Sequence, residues 1–370
     1  MSIRKDKKTN TWFYVLEMGK DDNGKRKQQF RRGFKTKKEA EEAYNKVKYE
    51  MKSGTYLDAS KMLYKDFLDD WLSTKQHSLE AHTIEIYKGY IKNYLIPELG
   101  NIPLAKLSAI HIERFISVLK SKGLAHSTIE RIYSVLNTSL NNAYKKEMVI
   151  KNVASLIDKP KVPKNELIVW DVDQAQAFLK TVQQSDSRFY VAFHLAIMTG
   201  MRQGEILGLR WSDIDFDNQN LVVCQTLSHN GKSFKQGGKT KSSTRSIAID
   251  EKTTLVLKKH RTRILSEKLN VGEHYKDLNL VVCTSKGTPV TPRNLSRTWY
   301  TFLKKADLPQ IRFHDLRHTH ASLLLKIGQH PKVVQERLGH STIKMTLDTY
   351  SHLLPNMQED AAKELGKLIL

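Results

Sequence analysis

Cysteine is almost missing from this 370-residue sequence. The two that occur, Cys224 and Cys283, have no second Cys or His at zinc-finger spacing. No disulfide scaffold follows from two such residues. Each falls in a stretch read as a strand, so buried, reduced thiols are expected, in keeping with a cytoplasmic compartment. Long hydrophobic runs are missing too. The longest, FYVAFHLAIM at 189–198, contains a histidine and is too short to span a bilayer, and MSIRKDKKTN has no apolar signal-peptide core. A soluble intracellular protein with no membrane partner is expected. Acidic residues are scarce relative to basic ones: 39 Asp+Glu face 61 Lys+Arg, a formal charge of +22 at pH 7. That is far from the near-neutral balance of most soluble enzymes and points to a polyanion as partner. There is no internal repeat and no long low-complexity tract.

What is present suffices for real cores, with 39% hydrophobic residues, and the length suggests two or three compact units. Residues 11–19, TWFYVLEMG, alternate a Trp12/Tyr14/Leu16/Met18 face, and DDNGK supplies an Asn-Gly hairpin turn before a strand KRKQQFRRG. Thr36 and Glu39 form a capping-box pattern, after which Ala40, Ala43, Tyr44, Val47 and Met51 recur at helical spacing until Gly54. Residues 1–57 hold sixteen Lys+Arg and eight Asp+Glu, a net +8 on a small aromatic-bearing sheet-plus-helix unit, which suits DNA binding better than a merely solvated surface. From 62 to 150 the pattern is purely helical. One stripe runs Ile84, Tyr87, Ile91, Tyr94, Leu95, and another Ile112, Phe115, Ile116, Leu119 before Gly123; Ser127 with Glu130 reads as the cap of the next helix. His77, His82, His111 and His126 sit among polar neighbours there, as surface residues do. DKPKVPKN at 158–165 reads as extended linker, because each proline disfavours helix in the residue before it.

The residues suited to chemistry lie beyond that linker. In MTGMRQGEILGLRW, Gly200 ends an apolar helix and Arg202 opens a short one with Glu205 on the same face; a purely structural ion pair is the bland account. NLVVCQTL and TRSIAID read as strands, with a Gly- and Lys-rich loop carrying Lys239 and Lys241 between them. In FHDLRHTHASLLL, the stripe Leu316, His320, Leu323, Ile327 makes His320 a core or boundary residue. His314 and His318, four apart, could share a metal. Against that, no Glu lies between them as in H-E-x-x-H, no third ligand follows at a recognised spacing, and Arg317 would repel a cation. Arginine beside histidine suits a phosphate, since guanidinium grips phosphate oxygens as a fork and imidazole moves protons near neutral pH. Downstream, Pro331 starts a helix and Gly339 ends it, and His340 and Tyr350 flank a short segment opened by Ser341.

Taken in order, Arg202, Lys239, His314-x-x-Arg317, His340 and Tyr350 resemble the active-site signature of the tyrosine recombinases, the integrases of phages and conjugative elements. The matching text is TGMRQGEILGLRW, GKTKSSTRSIAI, HDLRHTHASLLL, LGHS and TYSH. The family pattern places the lysine at Lys239, with Lys241 second. Ten residues separate His340 from Tyr350, where many relatives have nine, and Tyr300 precedes the histidine-arginine motif and so is out of order.

The resemblance implies a multidomain α+β chain: an arm-type DNA-binding sheet-plus-helix domain (1–57), an all-α core-site bundle (62–150), a linker (151–165), and a mainly α catalytic domain with a small antiparallel sheet (166–355). A tail (356–370), with Met357, Ala361, Leu365 and Leu368 at helical spacing, would dock on a neighbouring protomer. It implies Tyr350 as nucleophile holding the 3′-phosphate, Arg202 and Arg317 on the nonbridging oxygens, Lys239 protonating the leaving oxygen, His314 as general base, His340 bonded to the phosphate, and Glu205 orienting Arg202 or His314. Neither metal nor other cofactor is implied. The partners would be double-stranded attachment sites, a homotetramer on synapsed DNA, an excisionase and a host DNA-bending protein. The competing readings are a non-catalytic DNA-binding protein on the same fold and a metal-dependent nuclease using the histidines. A chromosome-dimer recombinase usually lacks the added amino-terminal unit, so integration and excision of a mobile element is favoured.

Overall fold

The computed structural model describes residues 3–6, 9–20, 26–52, 62–76, 78–163, 168–237, 244–350, 365–367 and 369. The chain divides into two compact units, Met1–Lys164 and Asn165–Leu370.

The first unit opens with an antiparallel sheet, β1 (Ile3–Asp6), β2 (Thr11–Lys20) and β3 (Arg26–Phe34), in sequential order. Tyr14 and Leu16 of β2 meet Val47 of α1 (Lys37–Lys52) in a small core, with Ile3, Phe34, Ala43 and Tyr44 around it. Helix α1 starts where the capping box places it: Thr36 Oγ1 accepts from the Glu39 amide (3.2 Å) and Glu39 Oε2 from the Thr36 amide (3.3 Å). The opposite sheet face carries Phe13 and Phe30 with the Arg32 guanidinium over both rings, 5.4 and 5.8 Å from their centroids. The DDNGK turn and the Met18 and Met51 side chains fall outside the described residues.

The helical part of this unit comprises α2 (Tyr64–Lys75), α3 (Ala81–Tyr90), α4 (Ile96–Leu99), α5 (Ala109–Ser121) and α6 (His126–Lys145). Between α3 and α4, residues Ile91–Leu95 form a π turn, and Pro97 explains it. A proline has no N–H to return to the Asn93 carbonyl, so the ladder slips. Both sequence stripes reach the core, with Ile84, Ile91, Leu95, Ile112, Phe115 and Leu119 buried. The cap expected from Ser127 and Glu130 does not form. Ala125 is the N-cap and makes no side-chain cap bond; Leu124, half-buried against the core, and Ile129, buried in it, occupy the positions of a hydrophobic staple instead. His82 and His126 are exposed and His111 is half-buried, while His77 is not among the described residues.

The second unit is mostly helical: α7 (Val172–Gln184), α8 (Tyr190–Thr199), α9 (Gln203–Gly208), α10 (Glu251–Val271), α11 (Pro292–Lys305), α12 (Asp315–Lys326), α13 (Pro331–Leu338) and α14 (Ile343–Tyr350). Strands β4 (Ile214–Asp215), β5 (Asn220–Val223) and β8 (Arg245–Ala248) form one antiparallel sheet, and β6 (Gln225–Leu227) pairs with β7 (Phe234–Gln236) in another. Strand β7 lies inside the stretch that reads as loop in the sequence. Neither cysteine lies in a strand as expected: Cys224 sits between β5 and β6, half-buried, with its Sγ donating to Asp213 Oδ1 at 3.2 Å, and Cys283 forms an isolated bridge with Pro289; Cys283 alone has the expected burial, and both thiols are free.

Trp170, Phe178, Phe193, Trp299 and Phe313 form the aromatic centre of the core, with Phe178 and Trp299 centroids 4.6 Å apart. The two indole N–H groups donate to Pro309 O (3.3 Å) and Ile311 O (3.0 Å), which fixes the segment leading to His314. Helix α8 is apolar nearly all round, as a fully buried helix must be. It stops at Gly200, whose φ of +65° is left-handed, and a Cβ there would lie 2.7 Å from both His320 Cδ2 and Leu338 Cδ2. Gly200→Ala therefore combines backbone strain with a clash. It is expected to cost about 2 kcal/mol or more of stability, read as a lowered urea midpoint at unchanged slope; an unchanged midpoint would show that the turn can rearrange freely.

Candidate active site

Arg202 is the N-cap of helix α9, and local chemistry sets its side chain. Glu205 Oε2 accepts from the Arg202 amide at 2.8 Å and Oε1 from its guanidinium at 2.7 Å. The same carboxylate takes a second fork, Arg245 Nη1 to Oε1 at 3.2 Å and Nη2 to Oε2 at 2.8 Å. The Glu205 side chain is 4% exposed. Burial alone would raise its pKa, but the hydrogen bonds and charge of Arg245, with the Arg202 charge, hold it down at about 2. The orienting role expected of Glu205 is thus directed at Arg202 and Arg245; His314 is not among its bonded partners.

Arg317 of α12 is buried, its Nη1 donating to Gly200 O (2.8 Å) and Nη2 to Leu338 O (2.5 Å). Burial, with the neighbouring Arg202 charge, lowers its pKa to about 9, which leaves it cationic at neutral pH. Arg245 Nε donates to Arg337 O at 2.7 Å and Arg202 Nη2 to Gly339 O at 3.5 Å. The successive carbonyls of residues 337, 338 and 339, at the negative end of α13, thus each receive one arginine. Gly339 ends that helix at φ +67°, as its sequence position predicts, and points the chain to His340.

His340 Nδ1 bonds Thr346 Oγ1 of α14 at 2.9 Å. Burial, then the charges of Arg317 and Arg202, push its pKa down to about 4. His314 is the exposed N-cap residue of α12, its ring T-shaped against His318 at 5.3 Å. Desolvation on its protein side, then His318 and Arg317, shift its pKa downward, so it too is neutral at pH 7. Tyr350, the last residue of α14, is 1% exposed rather than half-buried like an ordinary tyrosine, and its Oη lies 2.6 Å from His318 Nδ1. Burial raises the phenol to about 12 against the pull of Arg317.

His320 is a core histidine as its stripe predicts, with Nδ1 donating to Ile197 O (2.8 Å) and Nε2 accepting from Arg337 Nε (3.1 Å). That stripe ends early: Leu323 is half-buried and Ile327 exposed, because α12 stops at Lys326. Thr342, not Ser341, caps α14, with Oγ1 accepting from the Met345 amide at 3.4 Å. Tyr300 is exposed on α11. Lys239 and Lys241 lie outside the described residues, as does the tail apart from 365–367 and 369. Among the described residues no three His, Cys, Asp or Glu side chains are grouped to hold a metal ion, and no helix is long and apolar enough to cross a membrane.

Sequence pattern alone does not assign Arg245 and His318 to the site. Arg245 shares the inward face of β8 with Ile247, and an arginine on the buried side of an alternating strand demands a carboxylate partner. By spacing His318 reads only as a metal candidate, although the i, i+4 spacing that pairs it with His314 also turns it toward whatever packs on that face.

Residues 169–357 match the phage integrase family, 2–51 an arm DNA-binding domain, and 63–120 a phage integrase N-terminal SAM-like domain. The chain is similar to a tyrosine recombinase XerC-like protein of Caldanaerobacter subterraneus subsp. tengcongensis, 30% identical with 96% of each chain covered. It is also similar to the ICEBs1 integrase of Bacillus subtilis, 26% identical over 90% of this chain and 91% of the relative. In fold it resembles the Tn1549 transposon integrase in complex with a circular intermediate DNA (TM-score 0.71, 22% identity, 83% of this chain and 100% of the other). It also resembles a lambda integrase tetramer bound to a Holliday junction (TM-score 0.60, 17% identity, 92% and 96%).

Proposed function

Because the chain belongs to the phage integrase family of tyrosine recombinases, and is thus an enzyme of site-specific DNA recombination, we propose that Tyr350 is its nucleophile and Arg202, Arg317, His314, His340 and Lys239 complete its active site. The observation that carries this reading is a convergence. Arg317 and Arg202 reach the last carbonyls before His340, and α14 returns Tyr350 to the helix that carries Arg317.

Cutting and rejoining DNA without an external energy source requires the phosphodiester bond energy to be stored, and a covalent 3′-phosphotyrosyl bond stores it. As Tyr350 attacks, charge gathers on the nonbridging oxygens. Arg202, 40% exposed at its side chain and anchored by Glu205, offers its open edge to them, with Arg317 behind it. His314 and His340, both neutral, supply further hydrogen bonds, and Lys239 delivers a proton to the departing 5′ oxygen. Attack by the 5′-OH of a partner strand reverses the step.

In this reading the Phe13/Phe30/Arg32 sheet face of residues 1–57 contacts arm-type DNA, residues 62–150 the core site, and the 356–370 tail a neighbouring protomer in a tetramer. An excisionase and a host DNA-bending protein would set direction on a mobile element. The relatives' names, which include the ICEBs1 integrase and a phage integrase, support the mobile-element part of this reading.

The test is covalent trapping. Purified protein is incubated in EDTA with nicked DNA spanning the ends of its element, then quenched in detergent. The expected result is a protein-DNA adduct with wild type and none with Tyr350→Phe. Tight binding with no adduct would move the assignment to a non-catalytic DNA binder, and cleavage that EDTA abolishes would move it to a metal-dependent nuclease.

A further inference from the structure

We propose that His318, rather than His314, accepts the proton of Tyr350 during strand cleavage and returns it during religation. The inference rests on Tyr350 being the nucleophile. Its warrant is the 2.6 Å contact between Tyr350 Oη and His318 Nδ1 inside a site that leaves the tyrosine 1% exposed. A phenol so buried must release its proton to a neighbouring side chain, and the base within hydrogen-bond reach is this imidazole.

The surroundings favour the acceptor form. Burial, with the Arg317 and Arg312 charges, lowers the His318 pKa against the opposing pull of Asp315, so the ring is neutral near pH 7. The phenol, raised by burial, is the donor, which leaves the His318 proton on Nε2. Asp315 is fixed by Arg312, whose guanidinium donates to Oδ1 at 2.8 Å and whose amide donates to Oδ2 at 2.7 Å. It stands one turn before His318 and offsets the charge that forms there. In the step itself the Oη–H bond breaks and its proton moves to His318 Nδ1, while the Oη–P bond forms and the P–O5′ bond breaks. The O5′ electron pair takes its proton from the separate general acid, Lys239 in the reading above. Attack by a 5′-OH runs these transfers backward, and the imidazolium returns its proton to the leaving phenolate.

The decisive variant is His318→Asn, which keeps a hydrogen-bonding group near the Nδ1 position but cannot take a proton; His318→Ala removes both. With folding and DNA binding verified by melting and gel shift, His318→Asn is expected to slow formation of the covalent adduct by about 10²–10⁴-fold. Placing a fluorinated, more acidic tyrosine at position 350 should restore much of that rate. A 5′-bridging phosphorothioate substrate, which relieves only the leaving group, should not. A wild-type rate in His318→Asn overturns the proposal, as does a faster rate in His318→Ala or rescue by the phosphorothioate instead of the fluorotyrosine. If His318→Ala fails to fold, the asparagine variant carries the test. An adduct that persists in Tyr350→Phe refutes the nucleophile assignment itself and is scored separately.

Discussion

Arg317→Ala is expected to slow DNA cleavage by about 10³-fold or more and, in the same protein, to remove about 2–4 kcal/mol of stability. Arg202→Ala should reach a similar loss of cleavage while melting within about 2 °C of wild type. The contrast follows from what each guanidinium does without DNA. Arg317 is buried and supplies hydrogen bonds to the carbonyls of Gly200 and Leu338; its removal strands two acceptors and opens a void between α8 and α13. Arg202 is 40% exposed at its side chain, and Glu205 keeps a complete bidentate partner in Arg245 when Arg202 is gone, so what is lost is close to a surface ion pair. Single-turnover cleavage of nicked DNA and urea melts on the same preparations decide it. Equal stability in the two variants would mean that the carbonyl contacts of Arg317 carry no weight.

Glu205→Ala should destabilise the second unit by about 3–5 kcal/mol, because it leaves the nearly buried Arg245 charge unpaired. The wild-type pair also has a pH signature. With its folded pKa at about 2, below the ordinary glutamate value of 4.5, Glu205 contributes stability that is fully present above about pH 4.5 and is lost as the pH falls toward 2. Urea midpoints measured from pH 6 down to pH 3 should therefore fall less steeply for Glu205→Gln than for wild type. Parallel slopes would show that the carboxylate is not held ionised by its two arginines.

Local signals in the sequence translated well wherever they were self-contained. The Thr36/Glu39 box, the glycines at 200 and 339, and the Arg202/Glu205 turn are each decided within four residues, and the structure has all of them. The Ser127/Glu130 pattern is equivalent in sequence but forms no box, because the helix already begins at His126, with Leu124 and Ile129 on either side of its start packed on the core. The π turn before Pro97 was not legible, since the apolar stripe runs through it unbroken. The site was legible as a set of residues and not as a wiring plan. Nothing in TRSIAID says that Arg245 reaches back to Glu205, and nothing in HDLRHTH says that the fourth residue after His314 meets Tyr350, 32 positions later. Such partners are chosen by packing between distant segments, which periodicity does not encode.

The arginine-filled end of α13 bears on how copies of such a gene decay once recombination is no longer selected. Arg317 and Arg245 hold the fold together through carbonyls and a buried carboxylate, so chains that lose them are removed as misfolded protein whether or not their element still moves. Changes at Arg202 should carry little such penalty in the free protein, and Tyr350→Phe should lose no more than the one hydrogen bond to His318. Among inherited relics, an intact Arg317 therefore testifies to a surviving fold, and the first erosion to look for is at Arg202 and at the hydroxyl of Tyr350.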